Sequence, residues 1–349
     1  MQAAVLHAPG DLRIEETAPP LDLDRDEVLV KVMSVGVCGS DVDRVMRTGT
    51  YSFPMIPGHE FCGIIEALGA DDIPCRLGDR VVIAPLIPCF RCEFCRRGQY
   101  GLCNDYDFLG SRANGGFAQY VRVPFRNVLP LPQSIGFNEG AVIEPAAIAL
   151  HGIAKLCIMP RASVAVLGCG TLGLLAVQIA KIVGATELIA IDVDANKLSL
   201  AGEVGSDYCL NAASQDIVSE VRKITKNRGV DFSIETAGSN ATRDQCIQIV
   251  KKQGTVLLFG TAHSEVVFSP SHFEAILRKE LKIVGTWNSY SVPFPGHEWH
   301  TVIRYIGEKK VDLSRLISHV FPLDQAPRVL RNMFARRSGF GKVIFTPNE

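Results

Sequence analysis

The sequence predicts a two-domain α/β protein, in which an irregular and mostly β domain is followed by a doubly wound domain with a parallel sheet. Its 349 residues exceed the size at which a single hydrophobic core stops growing, which predicts two domains. Hydrophobic residues make up 47% of the chain and charged residues 21%, the balance of an ordinary soluble globular protein. Near residue 161 the pattern changes from scattered β-type runs to apolar strands that alternate with helical segments.

The first part of the chain, residues 1–145, is predicted to be the mostly β domain. Its runs of β-forming residues are separated by Gly and Pro and cover residues 28–35, 63–68, 80–84 and 117–123. A helix is expected from Pro145 to about residue 156, because proline fits the first turn of a helix, where its missing N–H costs nothing.

Residues 146–286 are predicted to form the parallel-sheet domain. Short apolar strands are expected at 163–167, 187–191, 207–210, 230–235, 255–259 and 281–284. Strands this apolar are buried on both faces, which indicates a parallel sheet flanked by helices. The alternation stops after Gly285, and residues 287–349 are expected to return to the first domain and end in a strand at 342–345.

The charge pattern excludes two classes of partner. With 36 basic and 37 acidic residues there is no overall positive field for nucleic acid or anionic lipid, so local side chains must bind any anionic substrate.

Residues 162–180 are uncharged, but Gly168, Gly170 and Gly173 interrupt them, which favours a buried strand, turn and helix over a membrane span. The N-terminus has no secretory signal pattern, so a cytoplasmic location is expected.

A glycine-rich turn after the strand at 163–167 predicts a dinucleotide site. The turn, Gly168-Cys169-Gly170-Thr171-Leu172-Gly173, precedes an apolar helix whose backbone amides can bind a pyrophosphate. Asp192, at the end of the next strand, is expected to bind the adenosine ribose and to repel a 2′-phosphate, which favours NAD over NADP. Lys197 is a further candidate for coenzyme binding. The alternative is that these glycines only pack a helix on a sheet.

Three other strand ends are candidates for the nicotinamide side of the coenzyme. Thr236, Gly260 and Thr286 each follow a predicted strand of the parallel sheet, at the edge where such folds bind their ligands. The alternative interpretation is that they are ordinary strand ends.

Four of the eleven cysteines predict a structural zinc site. An odd number of cysteines argues against a disulfide framework, and clustered cysteines in a reducing compartment are better interpreted as metal ligands. Four thiolates close to one another can close a tetrahedral zinc shell, whereas the long gap before the last of them and the absence of a following Pro disfavour a ferredoxin-type cluster. The four are Cys89, Cys92, Cys95 and Cys103.

A second and dispersed set predicts a catalytic zinc site. Cys38, His59, Glu60 and Glu144 offer one thiolate, one imidazole and one or two carboxylates, which leaves a coordination position for water or substrate. Taken singly, each residue is better explained without a metal: Cys38 as a buried thiol, His59 as a core histidine and Glu144 as a helix cap.

Taken in order along the chain, these motifs resemble the zinc-containing medium-chain dehydrogenase/reductase family. The resemblance implies a GroES-like catalytic domain, a Rossmann domain, two zinc ions per chain, a homodimer or homotetramer, and zinc-dependent, NAD-linked alcohol oxidation. Cys38, His59 and Glu144 match the catalytic zinc ligands, and Glu60 matches a ligand of one state only. The matching segments are Cys38-Gly39-Ser40-Asp41, Gly58-His59-Glu60 with Gly63 and Gly69, Gly78-Asp79-Arg80-Val81, and Glu144-Pro145.

Three more segments resemble the branch of that family that oxidises a sugar alcohol phosphate. They are residues 85–92, 106–118 and 277–299. This resemblance implies that galactitol 1-phosphate is oxidised to D-tagatose 6-phosphate.

Two positions depart from the family pattern. Arg44 stands where sorbitol-type members carry Tyr, which favours an anionic substrate. Asp43 stands where many members carry His, which leaves the outer end of a proton relay unassigned.

The candidate substrate contacts are Arg44, Arg112, Trp287 and Asn288. A guanidinium can bind a phosphate through two parallel hydrogen bonds, although a solvated arginine paired with Asp41 or Asp43 is the alternative. Ser40 is expected to take the proton of the substrate hydroxyl. Its alternative interpretation is a turn-forming residue.

Two rival functions remain open at this stage. One is a dehydrogenase for an unphosphorylated polyol or an amino alcohol, of the sorbitol or threonine type. The other is a non-enzymatic protein of the same fold that binds only a nucleotide. The presence of Cys38, His59 and Glu144 together argues against the second.

Overall fold

The computed structural model describes residues 1–262, 265–335 and 339–349. The chain forms two compact units. The first contains Met1–Glu144, Tyr290–Lys309 and Leu313–Glu349, and the second contains Pro145–Ser289 and Lys310–Asp312. The sequence placed the boundary after residue 286, whereas the second unit continues to Ser289 and includes a short segment from the C-terminal part of the chain.

A seven-stranded sheet forms the centre of the first unit. Its order is Ile317–Pro322, Lys342–Thr346, Glu27–Gly36, Glu60–Leu68, Arg80–Ile83 and Val128–Pro130, and Tyr120–Pro124 also pairs with the third of these. The first two strands pair in parallel and the other neighbours pair antiparallel. Two antiparallel pairs lie beside this sheet, Gln2–Ala8 with Asp11–Glu16 and Leu86–Pro88 with Tyr106–Phe108. Val28, Val30 and Val32 alternate along the longest strand and are fully buried, which builds the core of the unit.

Short helices connect these strands. The α-helices are Gly39–Asp43, Glu93–Arg96, Phe137–Gly140, His297–Gly307 and Ala326–Phe334, and Arg44–Thr48 is a π-helix. Single 3-10 turns occur at Tyr100–Leu102, Phe125–Asn127, Ser314–Leu316 and Leu323–Gln325. The helix Ile143–Ala154 begins in the first unit and continues in the second.

The second unit contains a six-stranded sheet in which all strands are parallel. The order is Tyr208–Asn211, Glu187–Asp192, Ser163–Leu167, Val230–Glu235, Val250–Leu258 and Lys282–Gly285. Numbered along the chain this is 3-2-1-4-5-6, the order of the dinucleotide-binding Rossmann fold. Its helices are Thr171–Ile182, Ala195–Glu203, Ile217–Ile224, Asn240–Ile249 and Pro270–Arg278. The predicted mixed α/β class with a doubly wound parallel-sheet domain is therefore confirmed.

The predicted elements differ from the observed ones mainly at their ends. The strands Ser163–Leu167 and Val230–Glu235 have the predicted bounds. The strand predicted at 255–259 begins earlier, at Val250, because an irregular stretch of pairing precedes the regular ladder that starts at Thr255. Within the described part of the chain, no helix has both the length and the apolar character needed to cross a membrane.

Candidate active site and metal centres

A tight turn after the long strand Glu27–Gly36 positions Cys38. Cys38 is the N-cap of the helix Gly39–Asp43, and its backbone N–H donates to Asp41 Oδ2 at 3.1 Å. Asp41 is thus the acidic partner of a capping arrangement, which satisfies an amide that the helix leaves free. The hydroxyl of Ser40 donates to the sulfur of Cys38 at 3.3 Å.

Asp41 also orients the imidazole of His59. Its side chain is fully buried, and its Oδ1 lies 3.0 Å from His59 Nδ1 and accepts from Arg44 Nη1 at 3.1 Å. Burial lowers the pKa of His59, but the Asp41 carboxylate outweighs this effect and raises the pKa well above its ordinary value. A carboxylate on one ring nitrogen leaves the other nitrogen as the ligand, as in many metal-binding histidines. Asp41 was not predicted as a site residue, although its place after Cys38 on the same short helix was visible in the sequence.

Cys38, His59 and Glu60 converge on one point. Their ligand atoms all lie within 4.8 Å of one another, and the histidine and the glutamate are buried. One thiol, one imidazole and one carboxylate are donors that zinc accepts, and three protein ligands leave a fourth position open. The donor set therefore fits a catalytic zinc ion.

Glu144 lies outside that group of three. It is 3% exposed, in the first turn of the helix Ile143–Ala154. Burial raises its pKa to about 7, and the charges of Glu60 and Asp41 add to this effect, whereas His59 and Lys342 oppose it. Glu144 therefore belongs to the same electrostatic cluster. The structure of the described residues does not place its carboxylate among the three converging ligands.

The four cysteines of the loop lie close together in space, as the sequence predicts. Cys89, Cys92, Cys95 and Cys103 have sulfur atoms within 4.8 Å of one another. Cys92 N–H donates to Cys89 Sγ at 3.4 Å, and Cys89 N–H donates to Cys103 Sγ at 3.3 Å. Backbone hydrogen bonds from Asn104 and Cys95 lower the pKa of Cys92 to about 6. Amides that donate to sulfur favour thiolates, so this set fits a closed zinc shell.

The glycine-rich turn of the second unit is shaped for close approach of a ligand. A Cβ on Gly173 would lie 1.8 Å from the carbonyl oxygen of Gly168, so only glycine allows the first turn of the helix to pack this closely on the loop. Next to Gly170 there is open space, and this residue caps the helix Thr171–Ile182. A pyrophosphate requires open space at a helix N-terminus, so the turn fits a dinucleotide. Leu172 is the second residue of this helix.

Asp192 is attached to this turn by one hydrogen bond and to the backbone after its own strand by a second. Its Oδ2 accepts from the N–H of Cys169 at 2.6 Å, and its Oδ1 accepts from the N–H of Asp194 at 2.9 Å. Lys197 lies on the following helix, Ala195–Glu203. The carboxylate is thus held beside the glycine-rich turn, in the place where a ribose contact is expected.

The other coenzyme candidates also lie at carboxyl ends of strands. The hydroxyl of Thr236 donates to the carbonyls of Leu167 and Gly168, at 3.0 and 2.6 Å. A Cβ on Gly260 would lie 2.3 Å from Gly238 N, and the buried hydroxyl of Thr286 has no partner among the described residues. Glu235, which was not predicted from the sequence, is fully buried and accepts hydrogen bonds from the N–H groups of Ala237 and Gly238.

The candidate substrate residues occupy contrasting surroundings. The guanidinium of Arg112 lies over two rings, 3.9 Å from the centroid of Tyr51 and 4.5 Å from that of Tyr106. Its backbone N–H donates to the carbonyl of Phe108, whose ring packs against His59 at a centroid distance of 5.6 Å. Trp287 is 59% exposed, and Asn288 is buried with an Nδ2 that has no partner among the described residues. Arg44, by contrast, is already bound to Asp41.

Comparisons with known protein families and proteins agree with this geometry. The alcohol dehydrogenase GroES-like domain matches residues 24–133, and the zinc-binding dehydrogenase domain matches residues 171–308. Galactitol 1-phosphate 5-dehydrogenase of Escherichia coli strain K12 is 37% identical and aligns over 99% of this chain and 100% of its own. Sorbitol dehydrogenase of Bacillus subtilis strain 168 is 33% identical over 100% of this chain and 98% of its own.

Solved structures give the same result. The crystal structure of galactitol-1-phosphate dehydrogenase from Escherichia coli superposes with a TM-score of 0.92 at 37% identity, covering 99% of this chain and 100% of that one. A zinc-binding dehydrogenase from Sinorhizobium meliloti 1021, bound to NADP, superposes with a TM-score of 0.91 at 32% identity and 99% coverage of both chains.

Proposed function

Because this chain belongs to the zinc-containing medium-chain dehydrogenase/reductase family and is a zinc-dependent alcohol or polyol dehydrogenase, we propose that its substrate is a polyol phosphate. In detail, the enzyme oxidises a secondary hydroxyl of galactitol 1-phosphate with NAD and forms D-tagatose 6-phosphate. Family membership also sets aside the non-enzymatic nucleotide-binding alternative.

The convergence of Cys38, His59 and Glu60, with the Ser40 hydroxyl on the cysteine sulfur, is the observation that carries the reaction type. When bound, zinc supplies a Lewis acid that makes a hydroxyl group more acidic, and NAD accepts a hydride. Asp41 holds the imidazole in one orientation. Ser40 Oγ takes the proton of the substrate hydroxyl and passes it outward, while the carbinol carbon loses its hydride and becomes a ketone.

The two donor sets support the proposal of two zinc ions per chain. The four-thiol set has no position left for substrate and is assigned a structural ion, whereas the set around Cys38 and His59 is assigned the catalytic ion. Glu144 is the proposed alternative to Glu60 as the carboxylate ligand of the catalytic ion, because it is buried and its pKa responds to the charges of His59 and Glu60.

The coenzyme assigned to this site is NAD. Asp192 supports that choice, because its carboxylate is held beside the glycine-rich turn and would repel a 2′-phosphate. Thr171, Leu172, Lys197, Thr236, Gly260 and Thr286 complete the proposed coenzyme site.

Arg112 supports a phosphorylated substrate. Its guanidinium lies over two tyrosine rings, and its buried Nε has no hydrogen-bond partner among the described residues. Arg44 is the second candidate for the phosphate, with Trp287 and Asn288 as further substrate contacts. The full-length similarity to galactitol 1-phosphate 5-dehydrogenase supports the same substrate class.

An unphosphorylated polyol is the second candidate substrate. The observation that favours it is the similarity to sorbitol dehydrogenase of Bacillus subtilis, which also extends over the full chain. An amino alcohol of the threonine type has no comparable observation behind it.

An apolar face on the second unit supports a homodimer or homotetramer. Phe273 and Leu277 on the helix Pro270–Arg278 are 56% and 63% exposed, and Ile283 on the edge strand Lys282–Gly285 is 43% exposed. An edge strand beside exposed apolar side chains is a surface that proteins usually cover.

We propose that the enzyme works in the cytoplasm. None of the eleven cysteines forms a disulfide, which agrees with a reducing compartment.

Elemental analysis and metal removal test the proposal. We expect about two zinc ions per chain, formation of NADH and a ketose phosphate from galactitol 1-phosphate, loss of activity after chelation, and recovery with added zinc. Full activity of a zinc-free protein would contradict the proposed chemistry.

A further inference from the structure

A buried carboxylate organises one strand end of the parallel sheet in the second unit. Glu235 is the last residue of the strand Val230–Glu235, and its side chain is fully buried. Its Oε1 accepts from the backbone N–H groups of Ala237 and Gly238, at 2.9 and 2.7 Å, and from the hydroxyl of Thr242 at 2.7 Å. Three donors on one charged oxygen fix the turn that follows this strand.

The same turn is joined to the end of the next strand. The N–H groups of Phe259 and Gly260 donate to the backbone carbonyl of Glu235, at 2.9 and 3.1 Å. A Cβ on Gly260 would lie 2.4 Å from Glu235 Oε2, and Gly238 has a φ of 70°, which favours glycine. The two glycines therefore leave room for the carboxylate between two closely spaced strand ends.

The position of this cluster relates it to one half of a dinucleotide. The strand that ends at Glu235 pairs with Ser163–Leu167, which the glycine-rich turn follows, and the hydroxyl of Thr236 donates to the carbonyl of Gly168 in that turn. Asp192 ends the strand on the other side of Ser163–Leu167. A dinucleotide that lies across the sheet at this point has its two halves on opposite sides of the first strand. With the adenosine at Asp192, the nicotinamide half lies on the side of Glu235.

We propose that Glu235 is a positioning residue for the nicotinamide half of the coenzyme site. This inference rests on the proposed NAD site. Because Glu235 is fully buried, it acts through the backbone of Ala237, Gly238 and Gly260, which it holds in one shape. The adenosine half depends on other residues, since the side chain of Asp192 is held by the N–H groups of Cys169 and Asp194.

Calorimetric titration of the zinc-replete protein with NADH and with ADP-ribose, which lacks the nicotinamide ring, tests this role. Glu235→Leu removes the acceptor from three donors, so we expect the Kd for NADH to rise by roughly tenfold. The Kd for ADP-ribose should change by less than about twofold, because the adenosine side is untouched. Glu235→Gln keeps an acceptor oxygen and should return the affinity for NADH towards that of the wild type.

A residue that only supports the fold predicts a different pattern. Equal weakening of both ligands in Glu235→Leu, or an unchanged affinity for NADH, would overturn the proposal. So would a wild-type protein that binds NADH no more tightly than ADP-ribose, because no nicotinamide contact would then need positioning. Asp207→Asn is the matched control. Asp207 Oδ2 also accepts from a backbone N–H, that of Leu188 at 2.8 Å, but at the opposite edge of the sheet, so both affinities should match those of the wild type.

Thr242→Val keeps the proposal testable if Glu235→Leu does not fold. This change removes one of the three donors to Glu235 Oε1 and leaves the carboxylate in place. We expect the Kd for NADH to rise by about threefold, with little change for ADP-ribose. A change shared by both ligands, or no change for either, would overturn the proposal. Wild-type protein that binds neither NADH nor ADP-ribose would instead count against the proposed function.

Discussion

At the residue scale, Asp41 connects the parts of the candidate active site. One of its oxygens fixes the turn at Cys38, and the other contacts both His59 and Arg44. A substitution at Arg44 therefore alters the carboxylate that orients the imidazole of His59, whether or not Arg44 also binds substrate. Arg112 has no such connection, since its guanidinium contacts Tyr51 and Tyr106.

This difference predicts separate outcomes for the two arginines. Arg112→Ala should lower kcat/KM for galactitol 1-phosphate by about tenfold or more, which corresponds to about 1.4 kcal/mol of lost transition-state binding. Activity on unphosphorylated galactitol should barely change. Arg44→Ala should reduce activity on both substrates, because the Asp41 carboxylate loses a partner.

A matched control is Arg126→Ala, which removes another arginine that lies over an aromatic ring, 5.5 Å from the centroid of Phe90. Its kinetics should match those of the wild type. Equal losses of activity on both substrates in Arg112→Ala would contradict the assignment of the phosphate contact to Arg112 and would favour Arg44 in that role.

Asp192 makes a second prediction at this scale. Asp192→Ala should raise KM for NAD and shift selectivity towards NADP, because the variant loses both the ribose contact and the repulsion of the 2′-phosphate. Steady-state kinetics with both coenzymes measure this shift. Asp194→Ala is the control, since Asp194 is also acidic but caps the helix Ala195–Glu203. An unchanged coenzyme preference in Asp192→Ala would show that Asp192 only orders the turn.

At the scale of elements, the loop of four cysteines is packed against a segment distant in sequence. Phe90 and Tyr100 from the loop meet Phe294, with ring centroids 5.3 to 5.6 Å apart. A zinc ion in the loop would hold one side of this aromatic cluster in place. On the proposed assignment of the two zinc ions, the loop contributes to stability and the turn at Cys38 contributes to the chemistry.

The two cysteine sites should respond differently to substitution. Cys38→Ser should abolish turnover with little change in melting temperature. Cys95→Ser should lower the melting temperature by on the order of 10 °C, because it opens the closed shell of the structural ion. Thermal unfolding and activity assays on the same preparations distinguish these effects. Similar losses of stability in both variants would contradict the division into catalytic and structural ions.

The first strand of the parallel sheet is fixed at its start by Asp231. Asp231 Oδ2 accepts from the N–H and the hydroxyl of Ser163, and Oδ1 pairs with Lys251. Burial raises the pKa of Asp231, but hydrogen bonds from Lys251 and Ser163 outweigh it, so the pKa lies below its ordinary value. A lowered pKa stabilises the folded state above the unfolded pKa, and this stabilisation is lost as pH falls through the folded one.

Asp231→Asn should therefore lower the free energy of unfolding at pH 7 by about 1–3 kcal/mol. The difference from the wild type should shrink as the pH falls below about 4. Urea denaturation at several pH values measures it. Asp72→Asn, at an exposed ion pair with Arg25, is the control and should change little. A pH-independent loss in Asp231→Asn would show that packing rather than charge is involved.

At the scale of the whole molecule, the sequence predicted what depends on local pattern. The apolar strands, the glycine-rich turn and the cysteine loop are continuous in sequence, so their identities and approximate bounds were predictable. The Lys342–Glu60 ion pair and the rings around Arg112 join residues far apart in the chain, and no local pattern indicates them. The short strands Leu86–Pro88 and Tyr106–Phe108 were missed for the same reason, because three residues carry no periodicity.

The central claim is that this dehydrogenase selects a phosphorylated polyol. Its most direct test is the ratio of kcat/KM for galactitol 1-phosphate to that for galactitol, measured with NAD on zinc-replete protein, with sorbitol as a further substrate. We predict a ratio of at least about one hundred, since a guanidinium that binds phosphate loses its charge-assisted hydrogen bonds with the unphosphorylated substrate. A ratio near one, or a higher kcat/KM for sorbitol, would contradict the claim.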